Sequence, residues 1–128
     1  MIYLWVGLGS ALGGAARYWC YGVVARHLGG TFPWGTLAVN LIGSAFIGFF
    51  ATLTSTDGRL LVPSSTRQFV MAGLCGGFTT YSTFSLETLQ LARDGDFLRA
   101  FGNIIGTLSL CLAGVWLGYV LATAFNES

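Results

Sequence analysis

Lysine is absent from the chain, and all six of its cations are arginines. Charge of either sign is scarce: 9% of 128 residues are charged, against about 25% in a soluble domain. With so few charges an ordinary water-facing surface cannot be built. That argues against a soluble enzyme, a nucleic-acid binder and a disordered chain together. The net charge of +1 leaves neither a basic patch for phosphate nor an acidic tail. There are three cysteines and one histidine. An odd cysteine count without a C-x-x-C pair makes neither a disulfide framework nor a zinc site. Cys20, Cys75 and Cys111 therefore read as small buried hydrophobes. Haem or metal ligation wants paired His or Cys. The lone His27 is expected in a loop and takes no role.

Apolar sequence fills the space that charge leaves. Hydrophobic residues make up 54% of the chain, and the mean hydropathy is +0.70. Four apolar segments stand out, at about residues 2–24, 34–53, 68–91 and 97–123, within a single domain over residues 1–128. At a rise of about 1.5 Å per residue each reaches roughly 30 Å, the thickness of a bilayer core. The segments do not alternate in polarity, which excludes spanning strands. Backbone groups in lipid bond internally, so helices follow. The expected fold is an all-α membrane protein of four transmembrane helices. The N-terminus lacks a positive leading region, so the first segment reads as a retained helix and not a cleaved signal. Trp5, Trp19, Trp34 and Trp116 fall near span ends or faces, as interfacial anchors do.

Arginine placement says little about orientation. Arg59 and Arg67 belong to one side; Arg26, Arg93 and Arg99 belong to the other, with Arg17 near it. So small a bias permits insertion both ways, and two opposite copies can then pair. Nineteen glycines include close-packing spacings: Gly9 and Gly13, Gly102 and Gly106, Gly114 and Gly118.

Polar residues at membrane depth are costly and so point to function. Asn40 lies in the second segment, one turn after Thr36. Asn103, Thr107 and Cys111 recur at i, i+4 and i+8 on one face of the fourth. Arg17 sits in the first segment, where it caps carbonyls, faces a vestibule or draws anions to a pore mouth. The third segment holds Gly73, Gly76, Gly77, Thr79, Thr80, Ser82 and Thr83, a poor uninterrupted helix. A break near residues 76–80 is expected. It would expose carbonyls suited to a small cation and amides suited to an anion. Glu87 near the segment's end reads as a structural acceptor beside a vestibule. The other donors are uncharged, and the ring edges of Tyr81 and Phe84 are electropositive. A donor-lined, nearly uncharged path suits a small, strongly hydrated anion that must be bound well but not deeply.

These residues carry a resemblance. Gly76-Gly77-Phe78-Thr79-Thr80-Tyr81-Ser82-Thr83-Phe84-Ser85-Leu86-Glu87 resembles the G-G-hydrophobe-T-T-F-S-T-F-S-x-E motif of the bacterial fluoride channels, the CrcB or Fluc family. The stretch Gly35-Thr36-Leu37-Ala38-Val39-Asn40-Leu41-Ile42-Gly43 is similar to that family's second-helix signature, and Gly13 to Tyr18 to its G-x-x-x-R-aromatic stretch. The resemblance covers the whole chain. It implies an antiparallel, dual-topology homodimer in the bacterial inner membrane, multi-pass, with two pores that export fluoride passively. By resemblance Asn40, Phe84, Ser82 and Thr83 line the pore, with Tyr81 in place of the more usual first phenylalanine. Asn103, Thr107 and Cys111 match the polar track of the fourth helix, with Cys111 where a stronger donor is common. The main-chain carbonyls of Gly76 and Thr79 match those that hold a structural, untransported sodium ion. The partners implied are fluoride, the lipid bilayer and a second copy, with no nucleic acid.

Two other readings compete. A small four-helix exporter of drugs or guanidinium compounds wants a carboxylate midway along the first helix, and residues 2–24 contain no Asp or Glu. A structural subunit of a larger membrane complex predicts no donor-lined path.

Overall fold

The computed structural model describes all 128 residues and is entirely helical. Its elements are α1 (Ile2–Leu28), α2 (Trp34–Leu53), α3 (Ser64–Gln68), a π-helical segment (Phe69–Cys75), α4 (Gly76–Phe78), α5 (Tyr81–Arg93) and α6 (Phe97–Glu127). The first, second and fourth apolar segments are unbroken helices. The first runs on to Leu28 and the fourth to Glu127, a few residues past the expected ends. The third segment begins earlier than expected, at Ser64, and is the broken one. By length and composition α2 and α6 can each cross a membrane.

Helix ends follow local chemistry. The chain leaves α1 at Gly29 with φ 78°, and turns between α5 and α6 at Gly95 with φ 81°, backbone angles that favour glycine. Asp96 caps α6: its side chain accepts from the Arg99 amide at 3.2 Å and pairs with the Arg99 guanidinium at 2.7 Å. That hydrogen bonding holds the half-buried Asp96 carboxyl below its usual range. Two arginines counted above as orientation charges also close helix C-termini. Arg67 donates to Thr54 Oγ1 at 3.0 Å and to the Ala51 carbonyl at 3.1 Å, at the end of α2. Arg59 donates to the Phe125 carbonyl at 3.0 Å, and its amide donates to Asn126 Oδ1 at 2.7 Å, at the end of α6. Cationic groups at these carbonyls complement the negative end of each helix dipole.

Those contacts put the C-termini of α2 and α6 at one end of the bundle. At the other end the α1–α2 loop (Gly30 to Pro33) meets the α5–α6 loop (Asp94, Asp96) around a shared cavity. Helices α2 and α6 therefore run parallel and side by side. Helix α1 packs against the π segment and α4. Glycine makes both approaches possible. A Cβ on Gly9 or Gly13 would strike the backbone of the π segment and α4, and one on Gly77 would strike Ser10. On the second interface, Gly48 and Gly118 leave room for the backbones of Val115 and Ala45. The expected pairs Gly9–Gly13 and Gly114–Gly118 thus pack, whereas a Cβ on Gly102 or Gly106 meets nothing within 4 Å in the chain. Their spacing alone does not say which helix faces have a neighbour.

Little of the chain is buried. Only 17 residues are, and the small apolar core is Leu37, Val39, Cys75, Ala100 and Ala122. Leucine, isoleucine, phenylalanine and tryptophan cover the outside, all four tryptophans among them. An apolar exterior over a glycine-packed, partly polar interior is the arrangement that lipid solvent favours. The three cysteines are unpaired: Cys75 is buried, and Cys20 and Cys111 are half-buried.

Candidate functional site

The chain breaks helix at Thr79 and Thr80, both extended, with ψ of 160° and 121°. The expected break lay anywhere from residue 76 to 80. The glycines in that range are helical, and Gly77 serves the packing against α1; the threonines carry the break. The physical reason is a side chain on another helix. Asn40 of α2 donates from Nδ2 to the Thr80 carbonyl at 3.0 Å, and its Oδ1 accepts from the Thr80 amide at 2.8 Å. One primary amide thus replaces the two bonds a helix would have given that residue. Because the Thr80 amide turns to Asn40, it is lost to the Gly76 carbonyl four residues before. Thr80 also caps α5, its Oγ1 accepting from the Thr83 amide at 3.3 Å and donating to Thr83 Oγ1 at 3.1 Å. Gly43, one turn along α2 from Asn40, gives the Thr79 methyl its space.

The break opens beside a cavity of about 270 Å³. Asn40 and Ser44 line it from α2, Thr79 and Thr80 from the break, Tyr81 and Phe84 from α5, and Thr107, Leu108, Cys111 and Leu112 from α6. The Tyr81 and Phe84 rings lie 5.8 Å apart between centroids, tilted by 43°. No lining side chain carries a charge. The polar groups are one amide, hydroxyls and a thiol, and the Asn40 amide keeps a second N–H beyond the one given to Thr80. Tyr81 is 80% exposed, so one wall of the site is open within a single chain.

Five expected site residues therefore meet at one place: Asn40, Thr79, Tyr81, Phe84 and Thr107. Asn103 does not line the cavity. It is buried one turn away, accepting from Thr107 Oγ1 at 3.2 Å and donating to Thr88 Oγ1 at 2.9 Å. Ser82 is exposed, and Thr83 is half-buried and occupied by the Thr80 cap. Gly76 borders a smaller cavity of about 180 Å³ that shares Ser44 and Thr79 with the first. Glu87 lies at the cavity between the α1–α2 and α5–α6 loops, with Gln90, Asp94, Asp96 and Arg99. Its Oε1 is buried without a hydrogen-bond partner, as are Thr36 Oγ1 and Arg17 Nε.

Two residues at the site escaped the sequence reading. Ser44 lies four residues after Asn40 on the same face of α2, and that spacing was a usable signal. Thr88 lies four residues after Phe84, and its hydroxyl donates to the Phe84 carbonyl at 2.8 Å. In the sequence it looks like any exposed hydroxyl near a helix end.

A family model described as CrcB-like protein, Camphor Resistance (CrcB), matches residues 4–119. The fluoride-specific ion channel FluC of Paramagnetospirillum magneticum is 59% identical over 127 residues, covering 99% of each chain. The proteins of the same name from Methylocella silvestris and Opitutus terrae are each 58% identical, over 99% and 98% of this chain and 97% and 96% of their own. The chain is a membrane protein and belongs to the CrcB-like family, whose members named here are ion channels and not enzymes.

Proposed function

We propose that this protein is a fluoride channel that lets the anion leave the cell passively across the inner membrane. The observation that carries the reading is the uncharged cavity at the helix break, lined by the Asn40 amide, hydroxyls and the aromatic side chains of Tyr81 and Phe84. Fluoride is small and holds its water tightly. Neutral donors and ring edges can replace that water while the ion stays free to leave, as conduction requires. A full positive charge beside the path would bind too deeply, and a carboxylate would repel the ion. The high identity to proteins named fluoride-specific channels over nearly the whole length supports the same conclusion.

The functional unit in this reading is an antiparallel pair of chains, inserted in opposite senses, with two pores. The open Tyr81 side of the site supports it, because one copy leaves a wall for the other to supply. Ser82, exposed beside Tyr81, belongs to that shared region. Near the pair's centre the carbonyls of Gly76 and Thr79 would hold a sodium ion. The residues fit such an ion: the Gly76 carbonyl has lost its helix amide to Asn40's hold on Thr80, which leaves an oxygen ligand for a hard cation. The ion's contribution is to join the two chains. Arg17, Thr36 and Glu87 would belong to the vestibule. The exporter alternative is disfavoured because its central carboxylate has no counterpart at this cavity.

The test is efflux from liposomes that contain the purified protein and are loaded with potassium fluoride or potassium chloride. A potassium ionophore removes the opposing voltage. Fluoride should leave and chloride should hardly leave. No fluoride efflux, or equal rates for the two anions, removes the assignment.

A further inference from the structure

Three hydrogen bonds run in series from α6 to α5. Thr107 Oγ1 donates to Asn103 Oδ1 at 3.2 Å, Asn103 Nδ2 donates to Thr88 Oγ1 at 2.9 Å, and Thr88 Oγ1 donates to the Phe84 carbonyl at 2.8 Å. Each hydroxyl owns one proton, so the chain has a direction. In this direction Thr107, the only member of the three donors that lines the 270 Å³ cavity, gives its proton away from the cavity. Its lone pairs face inward instead, which is the wrong sign for an anion.

The same residues support the opposite direction. A primary amide has nearly the same shape when Oδ1 and Nδ2 exchange places, so a half-turn of the Asn103 amide disturbs no packing. Thr88 then donates to Asn103 Oδ1, Asn103 Nδ2 donates to Thr107 Oγ1, and the Thr107 proton is released into the cavity. The Phe84 carbonyl gives up the hydroxyl and keeps its place in the helix ladder. Three bonds are made in either direction, provided an anion takes the last proton. Asn103 is 1% exposed, so water cannot stand in for a missing partner and a mixed arrangement is costly.

We infer that Thr88 and Asn103 form a hydrogen-bond relay whose reversal converts Thr107 from acceptor to donor when an anion enters the cavity. The inference rests on the fluoride-channel reading. Neither Thr88 nor Asn103 lines the cavity; both are positioning residues that act through Thr107. The relay also links the α6 face of the cavity to the backbone of Phe84, whose ring forms the α5 face.

The experiment compares Thr88→Val, which keeps the shape and loses the hydroxyl, with Thr88→Ser, which keeps the hydroxyl and loses the methyl. Fluoride efflux is measured on reconstituted protein that elutes from a sizing column with the wild type. The relay predicts Thr88→Ser within about twofold of wild type and Thr88→Val slower by about tenfold or more, the effect of one hydrogen bond to a charged ligand. A packing role predicts the reverse order, because valine fills the site and serine does not. Wild type that carries fluoride, with Thr88→Val as fast as Thr88→Ser, overturns the relay and leaves the channel reading intact. Wild type that carries no fluoride overturns both. If Thr88→Val does not assemble, Thr88→Ala against Thr88→Ser decides the matter, since both lack the methyl and only the hydroxyl differs. Equal fluxes for those two overturn the relay.

Discussion

Asn40→Leu is expected to lower fluoride efflux by about a hundredfold or more and to lower thermal stability as well. The side chain is the sole partner seen for both the amide and the carbonyl of Thr80. Leucine is close in size but leaves that peptide unpaired inside the protein, at about 1–3 kcal/mol for each orphaned group. About 1.4 kcal/mol is a tenfold change in an equilibrium, so the loss of both bonds alone accounts for the expected scale. The chain can recover the bonds only by closing the break into continuous helix, which would swing Tyr81 and Phe84 off the cavity. Both outcomes remove the path. Efflux from liposomes and a melting curve in detergent check the prediction together. Efflux near the wild-type rate would show that the break holds without its clamp.

Phe84→Ile is expected to separate conduction from folding. The side chain is half-buried at the cavity wall, and isoleucine replaces it with an apolar group. A hydrophobic swap of this kind usually costs less than about 1.5 kcal/mol of stability. The aromatic edge is lost completely, and with it the only electropositive surface that α5 presents from an apolar residue. Efflux should fall at least about tenfold, a loss of about 1.4 kcal/mol of ion stabilisation, while assembly is unchanged. The rate measured against the amount of assembled protein is the discriminating quantity. An unchanged rate would discard the ring edge as a contact for the anion.

Much of this was legible because the solvent is lipid. A chain with so little charge and four long apolar runs has few folds open to it, and α1, α2 and α6 follow from run length alone. The polar minority was legible for the same reason: Asn40 and Thr107 stand out because polar residues at membrane depth need a cause. The break was legible to within residues 76–80, and only its place at Thr79 and Thr80 inside that range was not. Gly76 and Gly77 look like the weak point by helix propensity, yet both are helical; at Gly77 propensity yields to close packing against Ser10 of α1. The Asn40 amide fixes the break at Thr80 from forty residues away, and no local signal carries a contact of that range. The Gly102–Gly106 pair has no neighbour within the chain for a related reason. Spacing shows that a face is smooth, and only tertiary structure shows what lies against it. Arg59 and Arg67 read as loop charges, and their service as helix caps depends on where α2 and α6 end in space.

The central claim is that neutral donors and ring edges at a broken helix select the smallest halide. A planar bilayer holding the reconstituted protein, with potassium fluoride on one side and an equal concentration of potassium chloride on the other, tests it in one reading. The zero-current voltage should take the sign set by fluoride leaving its own side, and it should grow as chloride's share of the current vanishes. A voltage near zero, or one of the opposite sign, would contradict the account.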